Sequence, residues 1–391
     1  MKISFYKKPG VNKKFLELNE IFSAADSCRK CGKCQSVCPV FRQTGFEQHT
    51  ARGKLTLING LKNNFFFNPS LIEKHLRFCL LCGRCERSCP SGIDTLSVFL
   101  KARTAMNEFD KKSFLKRFLI RVFVKFPFLF KLFKRTNNSN LNNYQFEKVN
   151  EKKLIFFTGC LFDRVFEDTT KRALDFFKSS GFDPVIVDDE CCGLPFLTSG
   201  DKKGFVKAGD KLYGKFLNSG SNLIVSGCPT CISALKNLWP DFFEFGKEFN
   251  RNFEVLDFHQ FAARVIKENK FEFKGKAEEK IKWHLPCHLK SLGGEKDAEY
   301  VLKKCLNFKP LQESKLNSSC GFGGTFSIDH PGISKKILDK KAGDLSLKEG
   351  EVLVTGCPAC VLQLERIKRA GNKKRVFHTI DLIGGKQIKK F

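Results

Sequence analysis

From residue 152 onward, short apolar runs alternate with longer segments whose apolar positions recur every three or four residues. The runs are LIFFT (154 to 158), PVIVD (184 to 188) and NLIVS (222 to 226), and VFEDTTKRALDFFKS and FVKAGDKLYGKFL lie between them. Short β-branched and aromatic runs predict buried strands, and the amphipathic segments predict helices. The order strand, helix, strand, helix, strand, then a helix opened by CPTC, predicts a parallel α/β sheet. The pattern returns after residue 280. IKWHLPC (281 to 287) matches LIFFTGC (154 to 160), SSCGF matches DECCG, and TGCPACV from 355 matches SGCPTC (226 to 231). The second half is therefore a tandem repeat.

The N-terminal part reads as helices, TARGKLTLINGL (50 to 61) and the stretch from Leu71 to Leu81, with no repeated strands. Between the halves, FLKRFLIRVFVKFPFLFKLFKR (114 to 135) holds seven basic residues and no acidic one, with Arg117, Arg121 and Lys125 four apart. Such a helix buries its phenylalanines in its own core, lies in a membrane interface, or clamps across a partner protein. Pro127 kinks or ends its first half. The asparagine-rich TNNSNLNNYQ that follows has too little apolar material to pack and reads as a linker.

Composition narrows the chemistry. Across 391 residues the chain has 18 cysteines, and 69 Lys+Arg against 41 Asp+Glu leave a net charge of +28. The N-terminus MKISFYKKPGVNKK lacks the apolar core of a secretory signal, so a reducing cytoplasm is expected and the cysteines are read as thiols or metal ligands. The excess charge suits an anionic membrane surface, an acidic partner, nucleic acid or bound anionic clusters. No run of 18 apolar residues occurs, so no membrane-spanning helix is expected.

The first eight cysteines form two matching runs. CRKCGKCQSVCP places Cys28, Cys31, Cys34 and Cys38 at gaps of two, two and three residues before Pro39, and FCLLCGRCERSCP repeats this with Cys79, Cys82, Cys85 and Cys89 before Pro90. This is the spacing of bacterial two-cluster ferredoxins, in which the fourth cysteine of each run reaches the other cluster. Cys28, Cys31, Cys34 and Cys89 are thus expected to hold one 4Fe-4S cluster, and Cys79, Cys82, Cys85 and Cys38 the other. Zinc also takes C-x-x-C pairs, but it needs four thiols rather than two symmetrical quartets. Nearby His49 and His75 are read as hydrogen-bonding or surface residues.

The repeats supply the rest. Cys160, Cys191, Cys192 and Cys228 should all fall just beyond the C-terminal ends of strands, where open sheets place ligands and helix N-termini favour anions. With Cys231 they make five thiols, one more than a zinc ion or a cubane needs. The second copy keeps Cys287, Cys320, Cys357 and Cys360 but has Ser319 in place of the fifth, which leaves enough for a tetrahedral zinc or a simple cluster. Cys305, with Ala298, Val301 and Leu302 at helical spacing, is read as core. The glycines of GFGGTF fail the GxGxxG pattern at Phe326 and are read as allowing close backbone approach. His259, His284, His288 and His378 are read as structural hydrogen-bonding residues.

Paired ferredoxin runs followed by two Cys...CCG...CxxC repeats resemble the cysteine-rich-domain iron-sulfur proteins. These include the iron-sulfur subunit of glycolate and D-lactate oxidases, the cluster-binding subunit of anaerobic glycerol-3-phosphate dehydrogenase, and catalytic subunits of heterodisulfide reductases. TARGK, CPSGI, PCH and CGFGGTF look most like the oxidase branch. The resemblance implies an α+β protein: a helical two-cluster ferredoxin-like domain (1–110), a basic Phe-rich helix and linker (111–150), and two tandem α/β cysteine-rich repeats with parallel sheets (151–270 and 271–391). It also implies a noncubane 4Fe-4S cluster on Cys160, Cys191, Cys192, Cys228 and Cys231, with Ser319 departing from that pattern. The expected role is electron transfer from an FAD-containing dehydrogenase subunit towards quinone, with the protein cytoplasmic and peripheral to the inner face of the cell membrane. Reduction of a disulfide at the noncubane cluster, or the glycerol-3-phosphate dehydrogenase role, is the alternative. A zinc-containing nucleic-acid binder, suggested by charge and aromatic content, would be colourless and iron-free, and no nucleic acid is expected.

Overall fold

The computed structural model describes residues 11–63, 65, 69–107, 152–268, 280–306, 318–348, 351–367 and 376–383. The Phe-rich stretch 114–135 and its linker lie outside the described residues. The chain forms two compact units that do not follow chain order. One gathers the described N-terminal residues with Pro195–Gly204 and Gly321–Ile337, and the other holds the remainder of both repeats.

In the first unit, helices Val11–Asp26, Ala51–Lys62, Pro69–Arg77 and Thr95–Asn107 carry the core, with Leu55, Ile72, Leu76, Phe99 and Leu100 at most 2% exposed. Thr50 starts the second of these helices by accepting the Gly53 N–H at 3.0 Å, an N-cap. The two cysteine runs have the same backbone. Lys30 and Leu81 take φ 55°, and Gly32 and Gly83 take φ 81° and 65°, so left-handed residues bracket the second cysteine of each run. A short helix then carries the third cysteine, Lys33–Val37 in one run and Arg84–Arg87 in the other. The left-handed turns are what bring cysteines of C-x-x-C-x-x-C spacing round to one side.

The inserted segments are tied into this unit by buried polar groups. Arg103, 3% exposed, donates to the carbonyls of Leu76 at 2.7 Å, Cys79 at 3.0 Å and Thr198 at 3.2 Å. The Asn107 amide donates to Gly200 O at 2.9 Å. Val40, Leu80, Phe326 and Ile337 form one apolar cluster, and the Phe78 ring stacks on His49 and His330 at centroid distances of 4.0 and 3.8 Å.

The second unit holds two parallel sheets. The first has the order β2-β1-β3-β4, with β1 Lys152–Phe157, β2 Phe182–Val187, β3 Leu223–Ser226 and β4 Glu254–Asp257. The second has the order β5-β6-β7, with β5 Lys280–His284, β6 Glu351–Thr355 and β7 Val376–His378. Register places Ile155 between Val185 and Ile224, and Thr355 between His284 and His378. All pairs are parallel, as the apolar runs separated by amphipathic helices require. The counterpart of β2 in the second repeat would fall at 307–317, outside the described residues. Phenylalanine fills much of the interior: Phe156, Phe177, Phe258 and Phe261 cover one side of the first sheet, and Phe216, Trp239, Phe243 and Phe249 pack together elsewhere, all buried.

The repeats meet through matching features. Asp257 ends β4 and accepts the His259 N–H at 2.9 Å; His378 ends β7 and its Nδ1 accepts the Ile380 N–H at 3.2 Å. On each side the interface closes on a glycine of the opposite repeat. A Cβ on Gly356 would lie 2.1 Å from His259 Cε1, and one on Gly227 would lie 2.8 Å from Ile380 Cδ1. His378 Nε2 donates to Gly227 O at 3.0 Å, and His259 Nε2 meets Thr379 Oγ1 at 3.0 Å. The glycines of the two GCP motifs thus mark where the repeats come closest.

Candidate metal centres

All eighteen cysteines are free of disulfides. In the first unit, Cys28, Cys31, Cys34 and Cys89 line one cavity, and Cys38, Cys79, Cys82 and Cys85 line a second. Each cavity is lined by three cysteines of one run and the last of the other, and Cys85 borders the first cavity too. Ala51, Cys85 and Thr95 border both cavities, so the two adjoin. Backbone amides point at the sulfurs: Arg52 N to Cys34 at 3.4 Å, Phe41 N to Cys38 at 3.5 Å and Leu81 N to Cys79 at 3.4 Å. Such bonds favour thiolate over thiol and raise the potential of any cluster bound there.

Two buried cations argue that the second cavity is built for negative charge. Lys54, 1% exposed, donates to His49 O and has Cys38, Cys79 and Cys85 as its nearest acidic groups. Burial depresses its pKa, and Arg103 stands nearby with Cys79 as its leading counter-charge. A lysine is buried at tolerable cost only opposite compensating charge, and four protonated thiols supply none. Cys85, pushed up to about 12 by burial and then by Cys79, must release its proton when metal binds. The donor set, the adjoining cavities and the buried cations fit anionic clusters held by thiolates. Sequence reasoning did not single out Lys54 as a charge partner; the signal was a lysine on the apolar face of TARGKLTLINGL.

In the second unit the five thiols of the first repeat come together as a chain of contacts. Cys160 meets Cys191, Cys191 meets Cys192, Cys192 meets Cys231, and Cys231 meets Cys228. Positions just after β1, β2 and β3 supply the first four, and the N-terminus of helix Pro229–Ser233 brings the fifth. The hydrogen bond to Cys191, and then burial, hold Cys160 above the ordinary thiol range. Beside it, burial pushes the Asp163 carboxyl up to about 7.

The chain of thiols does not stop at the repeat boundary. Cys228 meets Cys357, Cys357 meets Cys360, and Cys360 lies 3.2 Å from Cys320. Thr230 Oγ1 joins the two sides as well, 4.0 Å from Cys357 Sγ and 2.9 Å from His288 Nδ1. The fourth thiol of the second repeat, Cys287, faces Ser319 Oγ at 3.7 Å. Lys341, fully buried and lowered to about 8 by burial, has Cys287, Cys320 and Cys360 around it along with Asp344. Cys305 is buried at 1% exposure in helix Glu295–Leu306, apart from these sets. The contiguity of the two sets could not be read from the sequence, because it depends on how the repeats face each other.

Comparison with known families identifies two kinds of domain along the chain. Residues 24–93 match the 4Fe-4S dicluster domain, and residues 154–236 and 281–365 each match the cysteine-rich domain. Together these cover more than half of the chain, which belongs to the cysteine-rich-domain iron-sulfur proteins. Among relatives, it is 23% identical to a probable glycolate oxidase iron-sulfur subunit of Bacillus subtilis, over 91% of this chain and 93% of the relative. It is 24% identical to one subunit of the dihydromethanophenazine:CoB--CoM heterodisulfide reductase of Methanosarcina acetivorans, over 90% of this chain and 91% of the relative. It is 28% identical to lactate utilization protein A of Shouchella clausii, over 50% of this chain and 83% of the relative.

Proposed function

We propose that the protein is the iron-sulfur electron-transfer subunit of a flavin-dependent 2-hydroxyacid dehydrogenase, passing electrons from an FAD-containing partner towards quinone. The observation that carries this reading is the pair of adjoining four-thiol cavities with buried cations beside one of them. Bound 4Fe-4S clusters supply one-electron redox chemistry at such sites. The chain's own part is to hold them close together, exclude water, and set their potentials through amide hydrogen bonds and the charges of Lys54 and Arg103. Oxidising a hydroxyl carbon to a carbonyl would release two electrons and two protons on the partner, and Cys28, Cys31, Cys34 and Cys89 with Cys38, Cys79, Cys82 and Cys85 would hold the one-electron centres that could receive the electrons. The sequence has no flavin or nucleotide fingerprint, which leaves substrate chemistry to the partner. The names of the Bacillus and Shouchella relatives support the 2-hydroxyacid class.

No helix among the described residues is long and apolar enough to cross a membrane. Quinone access is assigned to the 114–135 segment on its sequence, seven basic residues interleaved with phenylalanines, as an anchor at the inner face of the membrane or on a quinone-linked membrane protein. The test is to purify the protein anaerobically with its partner and measure quinone-analogue reduction driven by glycolate and D-lactate. Rates should exceed those of the flavoprotein alone by at least tenfold; equal rates would refute the proposal.

The five-thiol chain of the first repeat favours a second reading, disulfide reduction at a noncubane 4Fe-4S cluster. Two electrons from a reduced donor protein and two protons would convert a disulfide to two thiols, and Asp163, its carboxyl raised by burial, stands beside Cys160 to relay protons from solvent. Thiol release that is lost in Cys192→Ser and kept in Cys320→Ser would select this reading over the first.

A further inference from the structure

The two cysteine runs share a backbone but differ in what they show to solvent. Between its first two cysteines the later run has Leu80 and Leu81, where the earlier run has Arg29 and Lys30 in the same left-handed turn, with φ 55° at both Lys30 and Leu81. Leu80 and Leu81 are buried, and Leu80 packs with Val40, Phe326 and Ile337. Arg29 and Lys30 are exposed, and so is Lys33, whose counterpart Arg84 is half-buried. Cys31 stands among these cations. It is the one exposed cysteine of the eighteen, all of which lie among the described residues.

Charge gives this opening a character. The charged side chains lining the cavity of Cys28, Cys31, Cys34 and Cys89 are Arg29, Lys30, Lys33 and Arg52, with no carboxylate among them. From Cys28 to Phe46 the sequence has no acidic residue, and the carboxylates on either side are engaged, Asp26 with Lys62 and Glu47 with Arg52 at 2.7 Å. Among the described residues, Arg29, Lys30 and Lys33 form no ion pair. Arg52 also donates to Lys30 O at 3.1 Å and to Gln35 Oε1 at 3.4 Å, which ties the loop to helix Ala51–Lys62. The backbone of this loop is thus ordered before any partner arrives, which lowers the entropy cost of binding. Compensating a bound cluster does not require cations in solvent, since at the other quartet the compensating Lys54 is buried.

We propose that Arg29, Lys30 and Lys33, around the exposed Cys31, form the surface on which an acidic face of the FAD-containing partner docks to deliver electrons. This deepens the electron-transfer reading and rests on it. Complementary charge steers encounter and fixes orientation, and docking here sets the partner against the quartet that reaches the surface. Each transfer removes one electron from the partner's reduced flavin and adds one to the centre held at Cys28, Cys31, Cys34 and Cys89, and the flavin's protons pass to solvent from the partner. The charge of Lys54, buried and so less screened than the exposed rim, then favours the electron at the inner quartet. A lipid surface fits less well, because an interfacial anchor needs apolar side chains to bury. Among the described residues the exposed large hydrophobic ones are Phe46, Phe65, Leu71, Leu217 and Ile328, all outside the loop.

The test is the rate at which the full chain, purified without oxygen with its clusters, associates with the flavoprotein that co-purifies with it, measured over a range of salt. Replacing Arg29, Lys30 and Lys33 together by glutamine should lower the association rate at least tenfold at low ionic strength and flatten its salt dependence, with a smaller change in dissociation and unchanged iron content. Glutamine at Lys207, Lys247 and Arg251, exposed cations of the second unit, removes equal charge and should leave the rate within twofold. Carbodiimide coupling of the wild-type complex should join Lys30 or Lys33 to a carboxylate of the flavoprotein. Equal losses in the two variants, or cross-links confined to other lysines, would overturn the proposal and leave the electron-transfer reading standing. Unchanged flavoprotein association with lost binding to phosphatidylglycerol vesicles in the rim variant would assign the rim to lipid and overturn it too. Should the rim variant lose iron, the wild-type cross-links decide alone. Cross-links at the rim in a complex that neither glycolate nor D-lactate reduces would support the docking surface while refuting the hydroxyacid reading, and a chain that no flavoprotein accompanies would overturn both.

Discussion

Single side chains set the electrostatics of this protein, and the most informative are cations placed where cations are costly. Lys54 has lost its water, and its counter-charges are cysteines. Replacing it with methionine keeps the volume of the stem and removes the positive charge. Reduction adds an electron to a centre that has then lost an attractive charge, so the potential of the centre at Cys38, Cys79, Cys82 and Cys85 should fall by tens of millivolts. The centre at Cys28, Cys31, Cys34 and Cys89 should move much less. A redox titration followed by electron paramagnetic resonance resolves the two, and an unshifted potential would show that Lys54 is structural only. The cysteine positions were legible in the sequence because spacing alone constrains which thiols can share a metal. Lys54, Arg103, Lys341 and His284 were not, since what distinguishes them is burial and company.

At the scale of elements, the amphipathic segments and apolar runs that fall among the described residues became the helices and strands they predict. Two differences have local causes. The helix expected over 165 to 179 starts at Glu167, because Phe166, with φ −119° and ψ 47°, separates it from a short helix, Gly159–Val165, that the pattern did not show. The strands β4 and β7 went unread because VLD and VFH are too short to show a period. Where the elements of the two repeats meet, Gly356 has no room for a methyl group, and the His259 ring that it would strike is fixed by Asp257 and Thr379. Gly356→Ala should therefore destabilise the protein by about 2–3 kcal/mol, at the upper end of ordinary overpacking. Gly332→Ala, whose new Cβ would meet nothing within 4 Å, should be neutral or slightly stabilising in its helix. Denaturant unfolding of the two variants against wild type checks this, and equal effects would show that the repeats do not pack as described.

For the molecule as a whole, metal and fold are coupled. Four sets of thiols lie at or near the interior, and the buried Lys54 and Lys341 face members of two of those sets. Without metal, burial holds Cys38 and Cys85 above the ordinary thiol range, and Lys54 loses the compensating charge of thiolates. Anaerobic chelation of all metal should lower the melting temperature by more than about 10 °C, and reconstitution with iron, sulfide and zinc should restore it. Melting curves that do not change would mean that the thiols are not the fold's metal anchors. The string of thiol contacts from Cys160 to Cys320 has a further consequence: centres in the two repeats would sit side by side rather than as separate sites.

The sequence by itself determined the candidate ligand types, the two four-cysteine runs, the tandem repeat and its parallel strands, because cysteine spacing and hydrophobic period are local properties of the chain. It also contained the loss at Ser319, which limits what the second repeat can hold. Tertiary structure alone decided that the two repeats join their thiols across Cys228 and Cys357, that Pro195–Gly204 and Gly321–Ile337 belong with the ferredoxin-like unit, and that His284 is fully buried beside Cys320 and Cys360. Those outcomes depend on which surfaces meet at long range, and no local pattern encodes the solvent a side chain will lose when they do.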